Sequence, residues 1–215
     1  MGRAGATMVI GVDEVGRGAL AGPVAVGMCV IDPVRPGRFP VGLRDSKMLS
    51  EAKRELLAPL AAAWAGASAV GLASADEVDR LGIIACLGLA AKRALGILHA
   101  SGVEIMTATV LLDGSHDWLS PALGTPLQVT TKVKADRDCA SVAAASVVAK
   151  VHRDRLMIDL DGVLPGYGWA SNKGYGSAAH FEAIELLGAT EHHRHTWLKS
   201  APSVAPIDLA NHGRR

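Results

Sequence analysis

Thr7-Met8-Val9-Ile10-Gly11-Val12-Asp13-Glu14-Val15-Gly16-Arg17-Gly18, followed by the apolar run Val24 to Ile31, is the stretch on which the fold turns. Thr7 to Val12 has the apolar, β-branched character of a buried strand, and it ends at two adjacent carboxylates, Asp13 and Glu14. Gly16-Arg17-Gly18 reads as a tight turn, and Val24 to Ile31 as a second strand. Asp32-Pro33 to Pro40 is a proline- and glycine-rich loop.

Strand–helix alternation continues from there. Ser50 is a ready N-cap for a helix carrying Leu56, Leu57 and Leu60. Ala67 to Ala73 reads as a third strand. Ser74-Ala75-Asp76-Glu77 has the capping-box form and opens a helix to about His99, with a break expected at Gly82. Thr109 to Asp113 is a fourth strand and Gln128 to Val133 a fifth. An Ala/Val-rich helix covers about Ala140 to Leu160, an exposed loop rich in Gly, Tyr, Trp, Asn and Lys runs from Pro165 to Ser177, and a last helix spans Ala178 to Leu187. The pattern predicts an α/β chain with a five-stranded sheet flanked by helices. Residues 1–200 are expected to form one domain, with a frayed start at residues 1–6 and a disordered tail at 201–215.

Composition bounds the function. The 215 residues suit one domain, and 49% hydrophobic content provides a core; with only 4% aromatics, it must be built from small side chains. Net charge is +1, so a nucleic-acid ligand needs a local basic patch. Cys29, Cys86 and Cys139 form no C-x-x-C pair and read as free thiols of a reducing compartment. With no apolar run of membrane length foreseen, a soluble, cytoplasmic, monomeric protein is expected.

The carboxylates carry the chemistry. Asp13 and Glu14 follow one strand, Asp113 ends another, and Asp136 lies just past the fifth, with Asp138 a rival two residues on. Each acid alone could serve a turn or a helix cap. Together, acids delivered from separate strand ends form an oxygen-only ligand set, which suits Mg²⁺ or Mn²⁺ rather than zinc. Two such ions steady the attacking and leaving oxygens of a phosphodiester displacement. Other signals are weaker. His192, His193 and His195 lack a clear third ligand and fit packing better than zinc. Ser141 and Ser146 have no evident His/Asp partner for nucleophilic catalysis. Gly16-Arg17-Gly18 lacks the rest of a dinucleotide fingerprint.

Asp13-Glu14-Val15-Gly16-Arg17-Gly18 with Leu20-Ala21-Gly22-Pro23-Val24 resembles the opening signature of the prokaryotic type 2 ribonucleases H. The blocks Asp45-Ser46-Lys47, Leu112-Asp113-Gly114, Lys134-Ala135-Asp136, Val142 to Ser146 through Ala149-Lys150-Val151, and Gly174-Tyr175-Gly176 with His180 share that resemblance, which runs over residues 8–198. It implies a ribonuclease H-like fold with a C-terminal helical lobe at about 160–200. It also implies an endoribonuclease that cuts the RNA strand of RNA/DNA hybrids, and 5′ of single ribonucleotides in duplex DNA, leaving 3′-hydroxyl and 5′-phosphate ends. Ribonucleotide excision and primer removal are the implied roles.

By the same resemblance Asp13, Glu14, Asp113 and Asp136 hold two divalent ions, which decides for Asp136 over Asp138. Gly16, Arg17 and Gly18 meet the ribonucleotide, Tyr175 stacks beneath the next sugar, and Ser46, Lys47 and Lys173 meet backbone phosphates. Departures are Gly82, Ser177 and the ending His192-His193-Arg194-His195-Thr196-Trp197. A type 3 enzyme preferring long hybrids is the alternative, disfavoured by Arg17 in the turn; a non-catalytic binding module is the other.

Overall fold

The computed structural model describes residues 8–33 and 37–198; the expectations for residues 1–6 and 201–215 lie outside them. Five strands form one mixed sheet: β1 (Val9–Val15), β2 (Val24–Ile31), β3 (Ala67–Ala73), β4 (Thr109–Asp113) and β5 (Gln128–Lys132), in the order β3-β2-β1-β4-β5. β1, β2 and β3 are antiparallel neighbours, while β4 and β5 continue the sheet in parallel with β1. The helices are α1 (Glu51–Trp64), α2 (Ala75–Leu81), α3 (Ile83–Ala100), α4 (Ala135–Asp138), α5 (Ala140–Val163), α6 (Trp169–Asn172), α7 (Ala178–Leu187) and α8 (His195–Leu198).

Small residues set how closely the layers approach. A Cβ on Gly71 of β3 would lie 1.9 Å from the carbonyl oxygen of Ala90 in α3. On the other face, a Cβ on Gly11 would lie 2.3 Å from the backbone of Ser141 in α5. The sheet is therefore sandwiched at near backbone contact between α3 and the Ala-rich start of α5. One core joins Ile10, Val12, Met28, Leu87, Leu98, Val110 and Leu112. A second lies under α1 and α5 around Cys29, Leu57, Ala61, Ala144 and Val147.

Several expectations need correction. β1 runs on through Val15, because Asp13, Glu14 and Val15 pair with Gly27, Val26 and Ala25 of β2. The acids thus lie inside a paired strand, not beyond its end. In α1 only Leu57 of the three leucines is buried; Leu56 and Leu60 face solvent, and Ala58 and Ala61 take their place. The stretch 165–177 is an exposed loop only in part. It contains α6, and Tyr167 and Trp169 form a third core with Ala21, Met157 and Ala183. α3 is long and apolar enough to cross a membrane by length and composition. Here Cys86, Leu87, Ala90, Ala91, Ala94 and Leu98 press it onto the sheet as a core helix. The break at Gly82 separates α2 from α3, and Ser74 and Glu77 form the expected capping box.

Candidate active site

Strand pairing brings the acids together. β1 and β4 run in parallel register up to Val12–Leu112, so the next residues, Asp13 and Asp113, lie side by side. Strand alternation sends Asp13 to the face where Gly11 meets α5, and starts Glu14 off on the other. Asp136 arrives on α4, whose N-cap, Lys134, holds a left-handed backbone at φ 60°. The Asp113 carboxylate accepts from the Ala135 N–H at 2.7 Å and the Asp136 N–H at 3.4 Å. Asp113 therefore docks α4 against the end of β4. Asp138, the rival, is exposed and pairs with Lys132 at 2.6 Å.

The electrostatics are those of crowded, dehydrated negative charge. Asp13 is 4% exposed. Burial, together with Glu14 and Asp113, raises its pKa to about 7, against a smaller lowering by a hydrogen bond from Ser146. Glu14 is raised by burial and by Asp113, against Arg17, whose guanidinium stands 3.6 Å away. Asp136 is raised by burial, Asp113 and Asp45. Lys47 answers them: burial pulls its pKa down, but Asp13, Asp45, Asp136 and Asp113 together raise it. Among the described residues, no three such side chains are already gathered into a metal cage. That is physically consistent, since carboxylates without a counter-charge repel one another and one oxygen of Asp113 is engaged by α4. The donor set nonetheless fits hard divalent cations: the oxygens are all carboxylate, and crowding by like charge helps raise the proton affinity of Asp13, Glu14 and Asp136.

Beside the acids lies a cleft of about 270 Å³, lined by Asp13, Glu14, Gly16, Arg17, Gly18, Ser46, Lys47, Ser146, Lys150 and Tyr175. Six of the seven expected substrate contacts thus share one concavity with two of the acids. Lys173 does not line it. Its side chain is buried, its amine donates to the Ala170 carbonyl, and it stands 3.3 Å from Glu51. Ser46 is buried, with its hydroxyl 2.8 Å from that of Ser146. Asp45 accepts from the Lys47 N–H at 2.8 Å and fixes that turn. Tyr175 accepts from the Gly16 N–H at 3.1 Å, with Lys150 and Arg153 over its ring at 5.7 and 5.4 Å.

Sequence reasoning missed Arg153 and Arg194, both fully buried, and the part Ser146 plays. The only signal for the arginines was a charged residue in an otherwise packed segment. His180 and His193 are packing residues. Trp169 Nε1 donates to His180 Nε2 at 3.0 Å, and the His180 Nδ1 side faces the Tyr175 carbonyl at 2.9 Å. Thr190 N–H donates to His193 Nδ1 at 2.9 Å. These partners fix both rings as neutral tautomers.

Comparison with known proteins gives the family and the fold. The family model for ribonuclease HII matches residues 10–200. The ribonuclease HII of Streptomyces griseus is 46% identical over 196 residues, covering 90% of this chain and 78% of that protein. That of Thermus thermophilus is 46% identical over 187 residues, covering 87% and 84%. The crystal structure of ribonuclease H2 from Pyrococcus horikoshii superposes with a TM-score of 0.67 at 27% identity, covering 89% of this chain and 94% of that one. The chain belongs to the ribonuclease HII family and is, by that membership, an endoribonuclease.

Proposed function

We propose that this enzyme cuts the RNA strand of RNA/DNA hybrids, and the 5′ side of single ribonucleotides embedded in duplex DNA. The products are a 3′-hydroxyl and a 5′-phosphate, and the roles are ribonucleotide excision and primer removal. Asp13, Glu14, Asp113 and Asp136 would hold two Mg²⁺ or Mn²⁺ ions. When bound, such cations lower the pKa of an attacking water and offset charge on a departing oxygen. The observation that carries this reading is the convergence of crowded carboxylates, Asp13 and Asp136 buried and raised, beside a cleft containing Arg17, Lys47 and Lys150.

The protein's own groups do the rest. Asp113 holds α4, and so Asp136, against the end of the sheet. Gly16 to Gly18 bring backbone close to the sugar, where the 2′-hydroxyl distinguishes RNA from DNA. Tyr175, which lines the cleft, offers a flat face to the sugar of the following nucleotide. Arg17 and Lys47 attract phosphates, with Asp45 holding the turn that carries Lys47. The chain acts as a monomer in the cytoplasm.

Product mapping on a labelled duplex with one ribonucleotide in a DNA strand tests the reading. One cut 5′ of the ribonucleotide is expected in Mg²⁺ or Mn²⁺, and none in EDTA. Cutting of all-DNA duplex, or undiminished cutting in EDTA, would overturn it.

A further inference from the structure

The turn opposite the acids rests on two buried guanidiniums. Arg194 donates to the carbonyls of Arg17 at 3.0 Å, Gly16 at 2.7 Å and Gly22 at 3.2 Å. Arg153 donates to those of Pro23 at 2.8 Å, Ala21 at 3.0 Å and Lys173 at 2.9 Å. Both side chains are fully buried, and among the described residues neither forms an ion pair. Burying two cations without an acid is costly unless their donors find acceptors, and of their buried donors only Arg194 Nε lacks one among the described residues. Five of the six accepting carbonyls, those of Gly16, Arg17, Ala21, Gly22 and Pro23, belong to the loop that enters the cleft; the sixth is that of Lys173.

Peptide geometry turns that seat into a directional device. All peptide bonds among the described residues are trans, so each C=O points opposite to the next N–H. With the Gly16 and Arg17 carbonyls drawn onto Arg194, the N–H groups of Arg17 and Gly18 must point the other way. Among the described residues neither N–H has a hydrogen-bond partner, and both residues are exposed. Both line the cleft that holds Asp13 and Glu14. The backbone around Arg194 is fastened as well: its N–H donates to the Leu20 carbonyl at 2.8 Å, and the Gly22 N–H donates to the His192 carbonyl at 2.8 Å. Behind it the Trp197 ring lies 4.7 Å from the guanidinium, and Asp79 caps the following turn through the N–H groups of His195 and Thr196.

We propose that Arg194, seconded by Arg153, is the positioning residue that orients the Gly16–Gly18 peptides so that two free N–H donors meet the 2′-oxygen of the ribonucleotide. This rests on the substrate reading above. It adds a residue more than 170 positions from the turn to the ribonucleotide-discriminating machinery. A neutral or single-point donor would anchor the loop, but would not hold three carbonyls on one plane.

The test is a double-mutant cycle between protein and substrate. Arg194→Lys keeps the charge and loses the fork. Single-turnover cleavage is measured on two duplexes, one with a ribonucleotide and one with 2′-fluoro in place of the 2′-hydroxyl. For the native enzyme the fluoro substrate is expected to be slower by about a hundredfold, in keeping with the loss of a paired buried polar contact. In Arg194→Lys, the hydroxyl substrate slows by about tenfold or more in kcat, with duplex Kd nearly unchanged, and the fluoro penalty shrinks by a similar factor. An undiminished fluoro penalty would reduce Arg194 to a scaffold residue and overturn the inference. Should Arg194→Lys fail to fold, judged by its melting transition, Arg153→Lys is read by the same cycle and the same criterion. If the native enzyme itself shows no fluoro penalty, it is the substrate reading that fails.

Discussion

Charge is buried at two places in this molecule, and the two are built in opposite ways. At the sheet end, Asp13 and Asp136 lie almost out of reach of solvent, with like charges for neighbours. On α5 and in the C-terminal lobe, Arg153, Arg194, His180 and His193 are at least as deeply buried, yet nearly every polar atom has a partner fixed by the protein. Arg194 Nε is the exception. These groups find nearly all their partners within the protein, and they hold the chain around them, the Gly16–Gly18 turn included, in one conformation. The acid end is electrostatically incomplete, which costs stability and provides affinity for cations.

The largest effect expected from this contrast is at Asp13. Asp13→Asn keeps the volume and removes the charge. Loss of several kcal/mol of cation-borne transition-state stabilisation should slow cleavage by about a thousandfold or more. In EDTA above pH 7 the same substitution should raise stability by about 1–3 kcal/mol, since a buried carboxylate no longer has to ionise. Single-turnover assays and urea melts read the two quantities. Near-native cleavage in Mg²⁺, or a destabilised apo-protein, would erase the distinction between the two regions.

The pH dependence of stability sharpens the same contrast, because the two regions should slope in opposite directions. Asp13 is raised from 3.8 to about 7, so the folded state holds a proton there that the unfolded chain has released; its contribution falls as pH rises through that window. His193 is lowered from 6.5 to about 4, chiefly by burial and also by His180. Its neutral form is fully favourable above pH 6.5, and stability is lost as pH falls from 6.5 towards 4. His193→Asn supplies an oxygen where Thr190 N–H meets Nδ1, and should flatten that acid-side slope by about 1–2 kcal/mol. Asp13→Asn should flatten the opposite one. Urea midpoints of the apo-proteins measured from about pH 4 to 8 decide it, and parallel curves for all three proteins would break the comparison.

How much of this was legible in the sequence follows the same division. The strands, the capping box at Ser74 and Glu77, the break at Gly82 and the acids could be read because local pattern and tertiary role agree there. The true end of β1 could not: Asp13 to Val15 stay in the strand only because β2 supplies partners as far as Ala25. The stretch 165–177 looked exposed because its glycines, asparagine and lysine suggest a loop. Trp169 and Tyr167 are buried by α5 and α7, which no local window contains. Lys173 was read as a phosphate contact, yet its amine is folded back onto Ala170 and Glu51. The arginine seat was invisible for the same reason, as five of its six guanidinium-to-carbonyl bonds span 130 to 178 residues and leave no periodic trace.

The smallest expected effect lies at an ion pair away from both regions. Glu77 accepts from both terminal nitrogens of Arg93 at 2.7 and 2.8 Å, and Arg93 also donates to the Leu72 carbonyl, so the pair ties α2 to α3 and β3. Here each charge has its complement, as the acid end lacks, but near water, as the lobe is not. The Arg93 hydrogen bonds, outweighing a smaller desolvation, pull the Glu77 pKa to about 2. Its stabilisation is therefore present above pH 4.5 and lost as pH falls from 4.5 towards 2. Solvent screening limits its size, so Glu77→Gln should cost only about 0.5–1 kcal/mol at pH 7, less in high salt, while cleavage stays unchanged. A loss of several kcal/mol, insensitive to salt, would mean that partner geometry alone, irrespective of burial, sets the worth of a charge in this fold.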